Sequence, residues 1–174
     1  MPTTTLADFS GGYAGVSLGA RTRGEAEIDG ETFISEIDGD AILGGFAGYQ
    51  IQNGDFVFGG ELGLSSAKDF TITGTGGAVD RDFRLLDLKA RAGYDAGSVL
   101  IYGTMGLSTV KAFGGFDGED TAEGFNFGVG ADYPINNQFV IGAEYLARRV
   151  VLEETDIETD FGADTFTLRA GFQF

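Results

Sequence analysis

Cysteine, histidine and tryptophan are absent from the 174 residues, and proline occurs only twice. Without cysteine there can be no disulfide, thiolate nucleophile or thiolate metal site. Without histidine the chain lacks the commonest general base and the commonest metal ligand. Basic residues are scarce: 11 Lys and Arg stand against 27 Asp and Glu, a formal net charge of −16. Such a surface repels nucleic acid, whose binding needs cations against phosphates. No run of 18 or more apolar residues is present, so no transmembrane helix is expected. The opening MPTTTLADFS has neither the basic start nor the apolar core of a secretory signal. The chain is therefore expected either to be cytoplasmic or to begin after a leader has been removed.

Glycine, by contrast, occurs 30 times, phenylalanine 16 times and tyrosine 6 times. Few prolines and many aromatics argue against disorder, and abundant glycine argues against long helices. The length suits one domain, residues 1–174.

Apolar and small or polar residues alternate with period two in eight successive runs. The spacing predicts strands over 12–21, 41–52, 56–66, 84–95, 99–109, 124–133, 139–149 and 165–174. Each has about the 9–11 residues that a tilted strand needs to cross a bilayer. Short connections, QNGD, DAGS and PINNQ, follow the second, fourth and sixth runs. Asn53-Gly54 is a strong hairpin turn, because both residues tolerate positive φ. Long connections follow the odd-numbered runs. This is the pattern of an eight-stranded, antiparallel, up-and-down barrel, whose even strand number lets it close without an edge.

Alternation alone does not say which face is inside. A lipocalin-like soluble barrel also has eight strands, with its apolar face inward. Here the polar face is rich in Gly, Ser and Asn rather than in the Lys, Glu and Thr of a water-facing surface. Small residues suit a narrow interior, and the large uncharged ones suit lipid contact. The predicted fold is therefore a transmembrane β-barrel. The charges on the small-residue face nearly balance: Glu61, Asp87 and Glu144 against Lys89, Arg91 and Arg169, with Arg21, Asp132 and Arg148 nearer the ends. An unpaired buried charge costs several kcal/mol, so these groups are expected to pair across the lumen. Phe46, Leu100 and Tyr102 should fill it further. Tyr49, Phe56, Tyr94, Tyr133, Phe139 and Phe174 fall on the apolar face beside the short turns or the terminus, as an aromatic belt at one interface would.

The stretches DFSGGYAGVSLG, GGFAGYQIQNGDFVFGGELGL, LKARAGYDAGSVLIYGTMGLS, GFNFGVGADYPINNQFVIGAEYL and the terminal FTLRAGFQF carry a resemblance. In order and spacing the chain resembles the small eight-stranded outer-membrane barrels of Gram-negative bacteria. It is similar to the OmpA-type transmembrane domain in general, and more closely to the outer-membrane immunogenic, or porin-family, proteins of alphaproteobacteria. The resemblance implies a bacterial outer-membrane location, with outer-membrane lipid and lipopolysaccharide as neighbours. It also implies that Phe166, Leu168, Ala170, Phe172 and Phe174 form the terminal signal read by the barrel-assembly machinery. The family often has Trp where Phe9 stands. The peptidoglycan-binding domain of full-length OmpA-type proteins has no counterpart here, so wall anchoring is not implied.

Small outer-membrane enzymes of the acyl-transfer, deacylase and protease types rely on histidine, so this chain is expected not to be an enzyme and to need no cofactor or metal. An eight-stranded interior is just wide enough for side chains, which makes a plugged lumen the leading expectation. The protein is expected to be a monomer with a structural or surface-interaction role. A narrow channel for ions or small solutes is the alternative, and a soluble ligand-binding barrel the second. Most of the net charge falls in the long connections. Thr22–Asp40 holds Glu25, Glu27, Asp29, Glu31, Glu36, Asp38 and Asp40; FGGFDGEDTAEG holds Asp117, Glu119, Asp120 and Glu123; LEETDIETDFGAD holds Glu153, Glu154, Asp156, Glu158, Asp160 and Asp164. They read as solvated loops, with weak divalent-cation bridging or a cationic partner as the sharper reading. TGTGGA reads as a flexible tip, and the EIDG repeat around ETFIS as a projecting hairpin.

Overall fold

A computed structural model describes residues 8–28, 31–34, 41–74, 77–113, 120–154 and 157–174. Alternation produces strands throughout: β1 (Gly11–Ile28), β2 (Glu31–Ile34), β3 (Ala41–Asn53), β4 (Phe56–Gly74), β5 (Gly77–Asp95), β6 (Leu100–Phe113), β7 (Asp120–Pro134), β8 (Phe139–Glu154) and β9 (Ile157–Gln173). All ladders are antiparallel, in the order β2-β1-β3-β4-β5-β6-β7-β8-β9, and β1 also pairs with β9. Eight strands, β1 and β3 to β9, thus close a barrel. The short β2 folds back on β1 from Glu25↔Ile34 to Ile28↔Glu31. It forms a hairpin where the EIDG repeat suggests one; Asp29, Gly30 and the second copy of the repeat lie outside the described residues.

The pairing is staggered. Followed round the barrel from Val16, it passes through Gly45, Leu64, Leu86, Thr109, Glu123, Val151 and Asp160. It returns to β1 at Glu27, not at Val16. That offset is the shear that tilted strands need in order to close.

The three short connections are tight turns. Gly54 and Gly97 adopt φ of 63° and 89°, which a glycine holds without steric penalty. Asp95 Oδ1 accepts the Gly97 amide at 2.8 Å. Asn136 Oδ1 accepts the Gln138 and Phe139 amides at 2.9 and 2.8 Å. At the seam the Phe174 amide donates to Gly12 O at 2.8 Å, and the Gly12 amide to Phe174 O at 3.0 Å. The chain therefore remains paired through its last residue.

The strands run further than period two predicts. The expected 56–66 is Phe56–Gly74, and the expected 84–95 begins at Gly77. Their ladder continues, past an irregularity between Ala67 and Phe70, to Gly74↔Gly77. The reason is physical: backbone pairing needs no apolar alternation, so the ladder continues where the sequence pattern that would signal it has ended. Gly74 and Gly77 thus end a ladder where a flexible tip was expected; Thr75 and Gly76 lie outside the described residues. Much of the acid assigned to loops likewise sits on strands: Glu25 and Glu27 on β1, Glu31 on β2, Asp120 and Glu123 on β7, Glu153 and Glu154 on β8, Glu158, Asp160 and Asp164 on β9. Asp29, Glu36, Asp38, Asp40, Asp117, Glu119 and Asp156 lie outside the described residues.

Burial is inverted relative to a water-soluble barrel. Leu43 is 63% exposed and Phe125 70%, while Glu61, Asp87, Lys89, Arg91 and Arg169 are buried. The lipocalin-like alternative is thereby set aside, because its apolar face would line the interior.

Candidate functional site

The lumen holds the charged residues, and small neighbours make room for them. A Cβ placed on Gly48 would lie 2.5 Å from the Tyr13 ring, and one on Gly15 2.5 Å from the Phe46 ring. Both glycines let an aromatic side chain from a neighbouring strand lie across the interior.

At the centre, two acids and two bases form a ring. Lys89 Nζ contacts Glu61 Oε1 at 2.7 Å and Glu144 Oε1 at 2.6 Å. Arg169 reaches the same two acids, Nη2 to Glu61 Oε2 at 2.5 Å and Nη1 to Glu144 Oε2 at 2.6 Å. Each carboxylate also accepts a phenol: Tyr13 Oη donates to Glu61 at 3.0 Å and Tyr102 Oη to Glu144 at 3.2 Å. The four ions come from β4, β5, β8 and β9, and closure of the barrel brings them together. The Arg169 guanidinium lies 3.9 Å from the centre of the Phe46 ring, a cation–π contact that helps hold it in place.

Toward the short turns, Arg91 pairs with Asp132 and approaches Glu61 at 3.5 Å. Its guanidinium sits 3.5 Å from the centre of the Tyr102 ring. Below it Phe9, 2% exposed, packs with Val57, Leu100 and Tyr102. Side-chain bonds hold that segment: Gln52 Oε1 accepts the Phe9 amide at 2.8 Å, and Gln173 Nε2 donates to Ser10 O at 3.0 Å.

Toward the long connections, Arg148 grips Asp87 with Nε at 3.0 Å and Nη2 at 2.6 Å. Ser108 Oγ donates to the same carboxylate at 2.5 Å, Asn126 Nδ2 donates to Ser108 at 2.8 Å, and Arg148 Nη1 donates to Thr165 at 2.9 Å. Four carboxylates, Glu61, Asp87, Asp132 and Glu144, thus meet four cations, Lys89, Arg91, Arg148 and Arg169. Two small cavities flank the ring, of about 20 Å³ beside Arg91 and Asp132 and about 30 Å³ beside Asp87 and Lys89. Spaces of that size hold one or two waters.

All seven residues read from the sequence as a lumenal network, Glu61, Asp87, Lys89, Arg91, Glu144, Arg148 and Arg169, are buried; Glu61, Lys89, Arg91, Glu144 and Arg169 share contacts at the centre, and Asp87 with Arg148 forms a further pair. The six aromatics, Tyr49, Phe56, Tyr94, Tyr133, Phe139 and Phe174, are exposed on the outer face at the short-turn end. Phe56 stacks edge-on against Tyr94 at 5.6 Å, and Phe139 against Phe172 at 5.2 Å. Phe166, Leu168, Ala170, Phe172 and Phe174 all point outward along the end of the chain. Sequence reasoning does not anticipate Phe9 as an end-piece of the lumen, Tyr13 as a ligand of Glu61, or Asp164 outside the loops. Asp164 accepts from Tyr145 Oη and Arg149 Nη1, both at 2.8 Å. The DFSGG stretch, where an aromatic precedes the first alternating run, is the signal that could have marked Phe9.

Comparison with known proteins yields the same architecture. Residues 1–174 match the outer membrane protein beta-barrel domain family. The 31 kDa outer-membrane immunogenic protein of Brucella melitensis is 27% identical, over 99% of this chain and 87% of its own length. The 25 kDa outer-membrane immunogenic protein of Brucella canis is 32% identical, over 79% of this chain and 63% of its own. The crystal structure of Neisserial surface protein A superposes with a TM-score of 0.67 at 17% identity, covering 95% of this chain and 98% of that one.

Proposed function

The chain belongs to the outer membrane protein beta-barrel family and is a protein of the Gram-negative outer membrane, and from that premise we propose that it is a monomeric barrel with a plugged lumen, acting structurally or at the cell surface. One observation carries the reading. The Glu61–Lys89–Glu144–Arg169 ring crosses the interior from four strands with ion-pair distances of 2.5 to 2.7 Å. A permeating ion would have to separate buried pairs whose disruption costs about 3–5 kcal/mol. Phe9 and its neighbours support the same reading at the short-turn end, where they occupy the mouth.

The lack of histidine supports a non-enzymatic role, since the carboxylates of the ring are committed to cations. The outward residues of β9 suit recognition by the barrel-assembly machinery, and the apolar band suits outer-membrane lipid. Planar-bilayer recording of the refolded protein tests the plugged lumen. The expected result is a silent trace; stable nanosiemens openings would instead favour the narrow-channel alternative.

A further inference from the structure

The segment leading into β1 is held differently from the strands. The β1 ladder begins at Gly11, opposite Gln50 on β3. Before it, Asp8–Ser10 is tied to the two strands that flank β1, by hydrogen bonds that each involve a side chain. From β3, Gln52 Oε1 accepts the Phe9 amide at 2.8 Å, and the Gln52 amide donates to Ser10 Oγ at 3.0 Å. From β9, Gln173 Nε2 donates to Asp8 O at 2.7 Å and to Ser10 O at 3.0 Å. Packing of Phe9 against Val57, Leu100 and Tyr102 adds to these ties. Contacts of this kind can break while the ladders stay intact. Gly11 marks the change of direction: its φ of 128° suits glycine, and a Cβ there would lie 2.7 Å from Phe174 O.

Phe9 also lines the cavity of about 20 Å³, together with Gln50, Arg91, Asp132 and Arg169. Three buried atoms of those residues, Gln50 Oε1, Arg91 Nε and Arg169 Nε, have no hydrogen-bond partner in the protein. Leaving such groups dry costs free energy, and a space of that size admits one water. Displacing Phe9 would let solvent reach all three. The closed arrangement gains from apolar packing and loses on polar solvation, which narrows the gap between closed and open.

We propose that Asp8–Ser10 is a lid, hinged at Gly11 and latched by Gln52 and Gln173, which opens while the barrel stays folded. Opening admits water and small polar solutes from the short-turn side as far as the Glu61–Lys89–Glu144–Arg169 ring. The inference goes beyond the proposed function, because the ring can remain closed while the lid moves. The chain has no cysteine, so a single introduced thiol reports without background. Val57 is buried against Phe9, Asp55 is exposed in the neighbouring turn, and Ser108 is buried on the far side of the ring beside Asp87. Val57→Cys, Asp55→Cys and Ser108→Cys are made singly in the full chain, refolded in detergent and treated with a small charged methanethiosulfonate. Heat-dependent gel mobility selects the folded species. Val57→Cys should react far more slowly than Asp55→Cys. Adding Gln52→Ala and Gln173→Ala should accelerate Val57→Cys about tenfold and leave Ser108→Cys unchanged; Gln173→Ala alone should accelerate it less. Equal rates at Val57→Cys and Asp55→Cys in the otherwise unaltered chain would show that the segment covers nothing. An unchanged Val57→Cys rate in the folded glutamine variants would overturn the latch. Equal acceleration at Ser108→Cys would mean general loosening and would overturn the lid. Bilayer recording reports separately on the ring.

Discussion

Arg169 and Glu61 are 108 residues apart in the chain and meet in a two-pronged ion pair, Nη2 to Oε2 at 2.5 Å and Nη1 to Oε1 at 3.1 Å. Both side chains are almost entirely enclosed. The same guanidinium serves Glu144, so one residue on β9 pairs with acids on β4 and β8.

Replacing Arg169 with Leu leaves two buried carboxylates sharing the remaining cations. The expected loss is about 3–5 kcal/mol, read as a lower urea midpoint for unfolding from lipid vesicles. Arg169→Lys keeps the charge but not the fork, so its midpoint should fall between the two. A midpoint for the Leu variant equal to that of the unaltered protein would contradict the network.

Phe9→Ala removes a buried side chain at the short-turn end of the lumen. Truncating a buried Phe costs about 3 kcal/mol or somewhat more, and water gains access to Arg91 and Asp132. Both a lower urea midpoint and faster hydrogen exchange at the Arg91 amide are expected; exchange unchanged from wild type would mean that Phe9 does not seal the lumen.

Gly48 and Gly45 face opposite ways and should respond differently to the same substitution. Gly48→Ala forces a Cβ against Tyr13 and the carbonyl of Gly60, each 2.5 Å away. Overpacking of this kind costs about 1–3 kcal/mol. Gly45→Ala meets only the Gly15 carbonyl at 3.6 Å, an ordinary contact. Comparable urea midpoints for the two variants would argue against a crowded interior.

Depth along the outer wall should also be measurable. Met105→Arg places a charge near the middle of the apolar band and should cost about 2–4 kcal/mol; Thr109→Arg, near the far interface, should cost about 0–1 kcal/mol. Unfolding from vesicles at several urea concentrations gives both values. A reversed order would move the band.

The barrel was legible because alternation is a local property: on Leu86, Leu88, Ala90 and Ala92 against Asp87, Lys89 and Arg91, both faces can be read within one strand. Inverted polarity was legible for the same reason, since Gly, Ser and Asn on one face and Phe and Leu on the other need no partner strand to be noticed. Which charges meet was not, because the stagger of the strands decides it. Arg91 pairs with Asp132, which sequence reading placed near an end, and Asp87 pairs with Arg148 rather than with its strand neighbour Lys89. Phe9 lies before the first periodic residue, and only the closed wall creates the enclosed space in which it is buried. Asp164 sits in an acidic run that resembles a loop, and its role depends on Tyr145 and Arg149 arriving from the adjacent strand.

The return of the pairing to Glu27 rather than Val16 bears on how the molecule enters its membrane. Glu61 and Lys89 are cross-strand partners that can pair in a flat sheet, but the Lys89–Glu144 and Arg169–Glu61 contacts form only after the sheet has curled. A flat intermediate lying in hydrocarbon would lack both contacts across the barrel, at a cost of several kcal/mol. Curling and insertion are therefore thermodynamically coupled, and a half-inserted, open sheet is the least favourable species on the route.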